Sequence, residues 1–174
     1  MEAAGVQSKL AHVANLATIL VSVLLSVVLV KVYLLPQPVP TRDFAQPRVG
    51  MGLTGALPGV DWAKNKRTLV LALSTQCHYC TESAPFFQRI QKETGLKMLA
   101  VLPQAVDESR KYLEGEGVRV DEVKQAVLST IGVSGTPTLL LVDNTGKVAD
   151  IWQGKLQPDQ EGQVLAVLKK NASL

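Results

Sequence analysis

The stretch Thr68-Leu-Val-Leu-Ala-Leu-Ser74 runs almost without polar side chains directly toward Cys77-His-Tyr-Cys80. A short, nearly continuous aliphatic run of this kind suits a strand buried on both faces. A chain built on such a strand needs covering layers on either side of a sheet. The residues after it alternate accordingly. The spacing predicts a helix from Cys77 to about Thr94, stopped by Gly95, and a second buried strand at Lys97–Leu102. A helix over Asp107–Glu114 comes next, then another over Asp121–Ile131, capped by Asp121 and ended by Gly132. Thr138–Val142 reads as a third strand, Asp143-Asn-Thr-Gly146 as a tight turn, and Lys147–Trp152 as the hairpin partner. Pro158–Lys170 closes as an amphipathic helix with Val164, Leu165, Val167 and Leu168 toward the sheet. The order β-α-β-α-α-β-β-α implies an α/β fold, a mixed sheet with helices on both sides.

The amino-terminal part obeys different rules. Leu10 to Val30 holds no Asp, Glu, Lys or Arg and is flanked by Lys9 and Lys31. At about 1.5 Å per helical residue the run matches a bilayer core of about 30 Å. A cleaved signal peptide would need a small-x-small site, and the exit Lys31-Val-Tyr-Leu-Leu-Pro36 offers none. The expectation is a short tail over 1–9, an uncleaved single transmembrane helix over 10–30, a Pro-rich linker over 31–47 and one folded domain over 48–174. Pro36-Gln-Pro-Val-Pro40 makes the linker a stiff, extended spacer. Asn15, Thr18, Ser22 and Ser26 share a face of the span, where they either bond back to their own helix or support helix pairing. Lys9 precedes the span while Lys31, Arg42 and Arg48 come after it, a bias that by itself favours a cytoplasmic domain.

The net charge of +3, from 18 basic and 15 acidic residues, lacks the clustered basic face of a nucleic-acid binder. The two cysteines of the 174 residues are both in the Cys-x-x-Cys pair, so no disulfide framework holds the fold. A zinc site fails on ligand count, because His78 and His12 are the only imidazoles and His12 lies in the apolar run. A structural bridge closing so short a loop constrains little of the unfolded chain. Redox chemistry remains. At the amino end of a helix the sulfur of Cys77 meets unpaired N–H groups and the positive end of the helix dipole, which favour thiolate and lower its pKa from about 8.5. Cys80, one turn on, is expected to be more buried and to resolve the mixed disulfide.

Strand, Cys77-x-x-Cys80, helix, then Pro85 in that helix and Gly135-Thr-Pro-Thr138 opening a later strand together resemble the thioredoxin superfamily. With the apolar amino-terminal run and Pro137-Thr-Leu-Leu-Leu-Val-Asp-Asn-Thr-Gly-Lys147, the pattern is most similar to the membrane-tethered TlpA/ResA-type oxidoreductases and the thioredoxin-like protein of methylamine dehydrogenase maturation. The resemblance spans about residues 48–170 and implies a thioredoxin fold, a cis bond before Pro137, and a substrate groove shaped by Thr136 and Pro137. It implies no organic cofactor or metal, protein dithiols or disulfides as substrates, and a membrane-embedded thiol as electron donor. It also implies an extracytoplasmic (periplasmic-side) domain, against the charge bias, and a cytosolic thioredoxin would have no need of a tether.

Several positions depart from the pattern. Gln76 stands where thioredoxins commonly have tryptophan, and Leu71 replaces the family's buried acid. Ser83 occupies the place of the branch's glutamate after the second cysteine. Glu82 is one residue earlier, roughly 100° away around the helix, and reads as a solvated residue or a displaced proton acceptor. The two inner residues of the motif, His78 and Tyr79, tune the redox poise; His78 does so if protonated and is otherwise a bystander. Tyr79 is either contact surface or cover for the helix end. Trp62 and Trp152 read as core or rim. The functional expectation is a membrane-tethered thiol-disulfide oxidoreductase with Cys77 as nucleophile and Cys80 as resolver. The alternatives are an assembly factor or chaperone with an incidental dithiol, and a peroxiredoxin-like peroxidase, which would need a peroxidatic cysteine in its own Pro/Thr-rich loop; none is visible.

Overall fold

The computed structural model describes residues 3–29 and 47–172. The chain divides into two compact units, Met1–Arg42 and Asp43–Leu174. In the first, helix α1 runs Ala3–Leu29 with no acid in its first turn and no base in its last. The described large apolar side chains of α1, from Leu16 to Leu29, are all 47% or more exposed. Among the described residues no helix is long and apolar enough to cross a membrane, so the span expected over Leu10–Val30 is not established by α1. The proline-rich linker, Pro36–Pro40, lies outside the described residues.

The second unit is a five-stranded mixed sheet in the order β3-β2-β1-β4-β5. Its strands are β1 (Arg67–Ala72), β2 (Lys97–Leu102), β3 (Glu122–Gln125), β4 (Thr138–Asp143) and β5 (Val148–Gln153). β1 pairs parallel with β2 and β2 with β3, while β4 runs antiparallel to both β1 and β5. The period-two geometry of a strand explains why the central runs had to be apolar throughout. Leu69, Leu71, Met98, Ala100, Leu139 and Leu141 point into one core, and Val70, Ala72, Leu99, Val101, Leu140 and Val142 into the other.

Four helices supply the first core: α2 (His78–Glu82), α3 (Ala84–Thr94), α4 (Val106–Gly115) and α5 (Pro158–Ala172). Phe86, Phe87 and Ile90 of α3 meet Val164, Leu165 and Leu168 of α5 there. The second core is closed by Leu53, Leu57 and Trp62 from an irregular segment with a short 3-10 turn at Trp62–Lys64, and by Ile131 and Val133.

Two expectations need correction. The helix expected over Asp121–Ile131 is instead strand β3 and then a 3-10 turn, Leu128–Ile131. The outer edge of β2 decides the matter: Leu99–Leu102 pair with Glu122–Gln125, giving its backbone partners that a helix would leave unmade. Asp121 is no helix cap. Its carboxylate accepts from the Lys97 ammonium at 2.7 Å and the Met98 N–H at 2.9 Å, and its own N–H donates to the Met98 carbonyl. The single helix expected over Cys77–Thr94 is two, broken at Ser83, where φ is −88° and ψ is −4°. Pro85 has no N–H to offer the Thr81 carbonyl, so the helix cannot continue through it unbroken. Ser83 covers the break by donating its hydroxyl to the Tyr79 carbonyl at 2.7 Å.

Candidate active site

The site forms where two strand ends meet. Ala72 lies opposite Thr138 in the antiparallel β1–β4 pair, so the chain leaving β1 and the chain entering β4 share one end of the sheet. The first leads to Cys77 and the second comes from Thr136. Cys77 is the N-cap of α2, with φ −94° and ψ 105°. Its Sγ accepts the Cys80 N–H at 3.1 Å, an amide shared with the Cys77 carbonyl at 3.0 Å, as an N-cap side chain does at the first turn of a helix. The same Sγ lies 3.4 Å from the Thr136 carbonyl oxygen. Cys77 and Cys80 form a disulfide, with Cα atoms 5.2 Å apart.

The two sulfurs differ in access. Cys77 is half-buried, whereas Cys80 is 1% exposed and belongs to the helical core beside Leu73 and Ala84. Pro137 is buried, the Thr136–Pro137 peptide is cis, and the Pro137 carbonyl accepts the Gly154 N–H at 2.7 Å. The Thr138 hydroxyl donates to the Gly135 carbonyl at 2.7 Å, fixing the turn that presents Thr136. Cys77 thus touches both Cys80, through the disulfide, and the Thr136 carbonyl, and the cis Pro137 follows Thr136 in the chain.

His78 and Tyr79 are exposed on α2, their rings tilted at 52° with centroids 5.9 Å apart. His78 Nε2 lies 3.3 Å from Glu82 Oε1, and the Lys155 ammonium donates to Glu82 Oε2 at 3.0 Å. That hydrogen bond from Lys155 holds the Glu82 carboxyl below its usual range, helped by the charges of Lys155 and His78 and opposed by partial desolvation. Glu82 therefore sits in an exposed polar row. The buried polar residues among those described are Thr68, Ser83, Ser109 and Thr138, none of them charged, and Leu71 is fully buried as an aliphatic residue. Trp62 is a core residue, and Trp152 lines a shallow cleft with Leu156, Val164 and Val167.

The sequence reading missed the support on the other side. Gln104 uses both ends of its amide on the loop before Cys77: Oε1 accepts the Thr75 N–H at 3.4 Å and Nε2 donates to the Ser74 hydroxyl at 3.1 Å. The Thr75 hydroxyl donates to Glu108 Oε1 at 3.1 Å. Beyond the dithiol, the Thr81 hydroxyl donates to Glu116 Oε1 at 2.9 Å and lies 3.3 Å from the Tyr112 hydroxyl. Burial raises the Tyr112 phenol above its usual value, with Thr81 opposing and Glu116 adding to the shift. The signal available in the sequence was a recurrence of polar side chains every four residues across 104–116.

A thioredoxin-like domain model matches residues 62–170. No curated protein sequence matches the chain significantly. Among solved structures, a thiol:disulfide interchange protein of the thioredoxin family from Chlorobium tepidum TLS is 18% identical over 74% of this chain and 97% of its own, with a TM-score of 0.51. The thioredoxin domain of a thiol-disulfide oxidoreductase from Bacteroides vulgatus is 22% identical over 71% of this chain and 96% of its own, with a TM-score of 0.50. A secreted thiol-disulfide isomerase from Corynebacterium glutamicum is 15% identical over 63% of this chain and 72% of its own, with a TM-score of 0.51. At these identities the structures speak for the fold, and the model match over most of the second unit assigns the family: the chain belongs to the thioredoxin-like family.

Proposed function

We propose that the protein is a thiol-disulfide oxidoreductase acting on protein disulfides, held to a membrane by residues 10–30, with its thioredoxin-like domain on the extracytoplasmic side. The observation that carries the redox reading is the asymmetry of the pair. One sulfur is half-buried at a helix N-cap beside the Thr136 carbonyl, and the other is buried one turn behind it. In the reduced form the Cys77 thiolate is stabilised by the Cys80 N–H and the helix start. It attacks one sulfur of the substrate disulfide, forming a mixed disulfide and releasing one substrate thiolate, which takes a proton. Cys80, deprotonated, then attacks Cys77 Sγ and releases the second substrate thiol. Two electrons pass from the dithiol to the substrate, and the Cys77–Cys80 disulfide is left. Thr136 offers a backbone edge beside Cys77 on which a substrate strand is expected to lie. A membrane-embedded thiol donor would return the two electrons.

Cys77→Ser is expected to abolish disulfide exchange, and Cys80→Ser to accumulate mixed disulfides that non-reducing electrophoresis resolves. The opposite pattern would assign the sulfurs the other way round. The reduction potential sets the direction. A value near or below about −270 mV marks a reductant, and one near about −120 mV an oxidant. The membrane reading is supported by the uncharged run Leu10–Val30 and the helical course of α1. Alkaline extraction of membranes, and protease accessibility of the domain in spheroplasts whose inner membrane is intact, test it. Release into the supernatant, or protection of the domain from external protease, would overturn anchor or orientation respectively.

A further inference from the structure

Glu108, Tyr112 and Glu116 recur every four residues along α4 and its C-cap and so form one ridge, and Gln104 stands in the loop just before the N-cap Ala105. Between them they bond both flanks of the dithiol: Ser74 and Thr75 before Cys77, and Thr81 after Cys80. Since the Thr81 proton goes to Glu116, the Tyr112 hydroxyl is the donor toward Thr81. Helix α2 needs such help. It has five residues, and Ser83 and Pro85 sever it from α3. A helix so short has no independent stability. In the oxidised protein the disulfide itself restrains residues 77–80. Reduction removes that restraint and leaves the hydrogen bonds to hold the segment.

We propose that the ridge of α4 is a positioning device for the reduced dithiol: through Thr75 and Thr81 it keeps Cys77 at the N-cap of α2 when the disulfide is open. The inference rests on the thiol-disulfide reading of the pair and names the residues that set its poise. The ridge works harder in the reduced form, so its loss destabilises that form more than the oxidised one. The thiol–disulfide equilibrium then moves toward the disulfide. The charged groups around the segment are Glu108 and Glu116 from α4, His78 and Glu82 on α2 itself, and Lys155 from the β5–α5 loop. Substitutions at Thr75, Thr81 and Tyr112 leave all of them in place.

The test is a pair of full-length double variants, Thr75→Val with Thr81→Val and Thr75→Ser with Thr81→Ser. The first removes both hydroxyls at nearly constant shape; the second keeps them. Equilibration with glutathione is expected to shift at least threefold toward the disulfide in the valine pair and to stay within twofold of the parent in the serine pair. Alkylation of reduced Cys77 by iodoacetamide at pH 7 is expected to slow at least threefold in the valine pair, with its pH midpoint moved upward. Tyr112→Phe cuts the Thr81 contact from the α4 side and is expected to shift the equilibrium in the same direction by less. It also provides the reading should the valine pair not fold. An equilibrium unmoved in the valine pair and in Tyr112→Phe overturns the proposal. So does a serine pair that shifts as far as the valine pair, since methyl packing would then be the cause. Variants that show these shifts in glutathione equilibration, beside a parent that exchanges with no protein disulfide, would sink the proposed function and leave the positioning role standing.

Discussion

On one face of the sheet, Leu69, Met98 and Leu139 meet helices: Phe86, Phe87 and Ile90 of α3, and Val164, Leu165 and Leu168 of α5. On the other face, Val70, Leu99 and Leu140 meet Leu53, Leu57 and Trp62 from a segment whose only regular piece, among the described residues, is a three-residue 3-10 turn. The same strands feed both cores, yet the covers are held by different means. The helical cover satisfies its own backbone and needs only an apolar stripe, reinforced by exposed ion pairs such as Lys169 with Glu93 at 2.7 Å. The irregular cover must place its backbone hydrogen bonds on the sheet. It does so along the β4–β5 turn: Gly50 N–H donates to the Val148 carbonyl at 2.7 Å, and Leu53 N–H to the Gly146 carbonyl at 2.8 Å. A cover built that way depends on backbone geometry as much as on side-chain volume. The dithiol belongs to the helical face, where Cys80 packs in the core.

The largest effects should come from opening either core. Phe87→Ala on the helical face is expected to cost about 3–5 kcal/mol, and Trp62→Ala on the irregular face a similar amount. Both residues are buried, at 1% and 5% exposure. Chemical denaturation of each variant makes the comparison. If Trp62→Ala costs less than about 1 kcal/mol, the irregular segment is an appendage and not a second cover.

A sharper contrast lies in two glycines. Gly95 ends α3 at φ +63° with open space around a would-be Cβ, and Gly146 turns β4 into β5 at φ +79°. There a Cβ would meet the Thr54 hydroxyl oxygen at 2.6 Å and the Trp62 ring at 3.0 Å. Gly95→Ala carries only the left-handed backbone penalty, about 1–2 kcal/mol. Gly146→Ala adds a collision with the irregular cover and is expected to cost roughly 1 kcal/mol or more beyond that. Equal losses in the two variants would mean that the cover yields freely at Thr54 and Trp62.

The same contrast sorts what was legible in the sequence. Apolar runs at 68–74, 97–102 and 138–142 announced the central strands, because burial on both faces demands aliphatic side chains throughout. Helical periodicity marked α4 and α5. Cys77-x-x-Cys80 and Gly135-Thr-Pro-Thr138 marked two loops, and antiparallel pairing of β1 with β4 is what joins them. The irregular cover carried no period to read, since its fit depends on turns made against distant strands. The polar residues that hold the dithiol from α4 were hidden for a related reason. Thr75 and Glu108 are far apart in sequence, and nothing local pairs them. β3 is hidden in the sequence because Asp121 before Glu122-Val-Lys-Gln125 suits a helix start equally well, and only the open edge of β2 chooses between the two.

That edge supplies the smallest effect and the finest test. Asp121 is exposed, yet the desolvation it does undergo would alone raise its carboxyl. Hydrogen bonds from the Lys97 ammonium and the Met98 N–H outweigh this and hold it below its ordinary value of 3.8. A carboxyl depressed in the folded state stabilises that state at pH above its unfolded value, and the contribution fades as pH falls through the lower, folded value. Asp121→Asn should therefore lower stability at pH 6 by under about 1 kcal/mol, the side chains of both partners being roughly half exposed. Below the folded value the parent carries a neutral acid too, and the gap between parent and variant should close. Urea midpoints at pH 6 and pH 3 read the difference. A gap that persists unchanged at pH 3 would assign the effect to the shape of the β2–β3 junction and not to the charge. In that case this edge is held as the irregular face is held, by backbone geometry, and the β2–β3 junction joins the Gly146 turn as a place where the fold depends on main-chain fit.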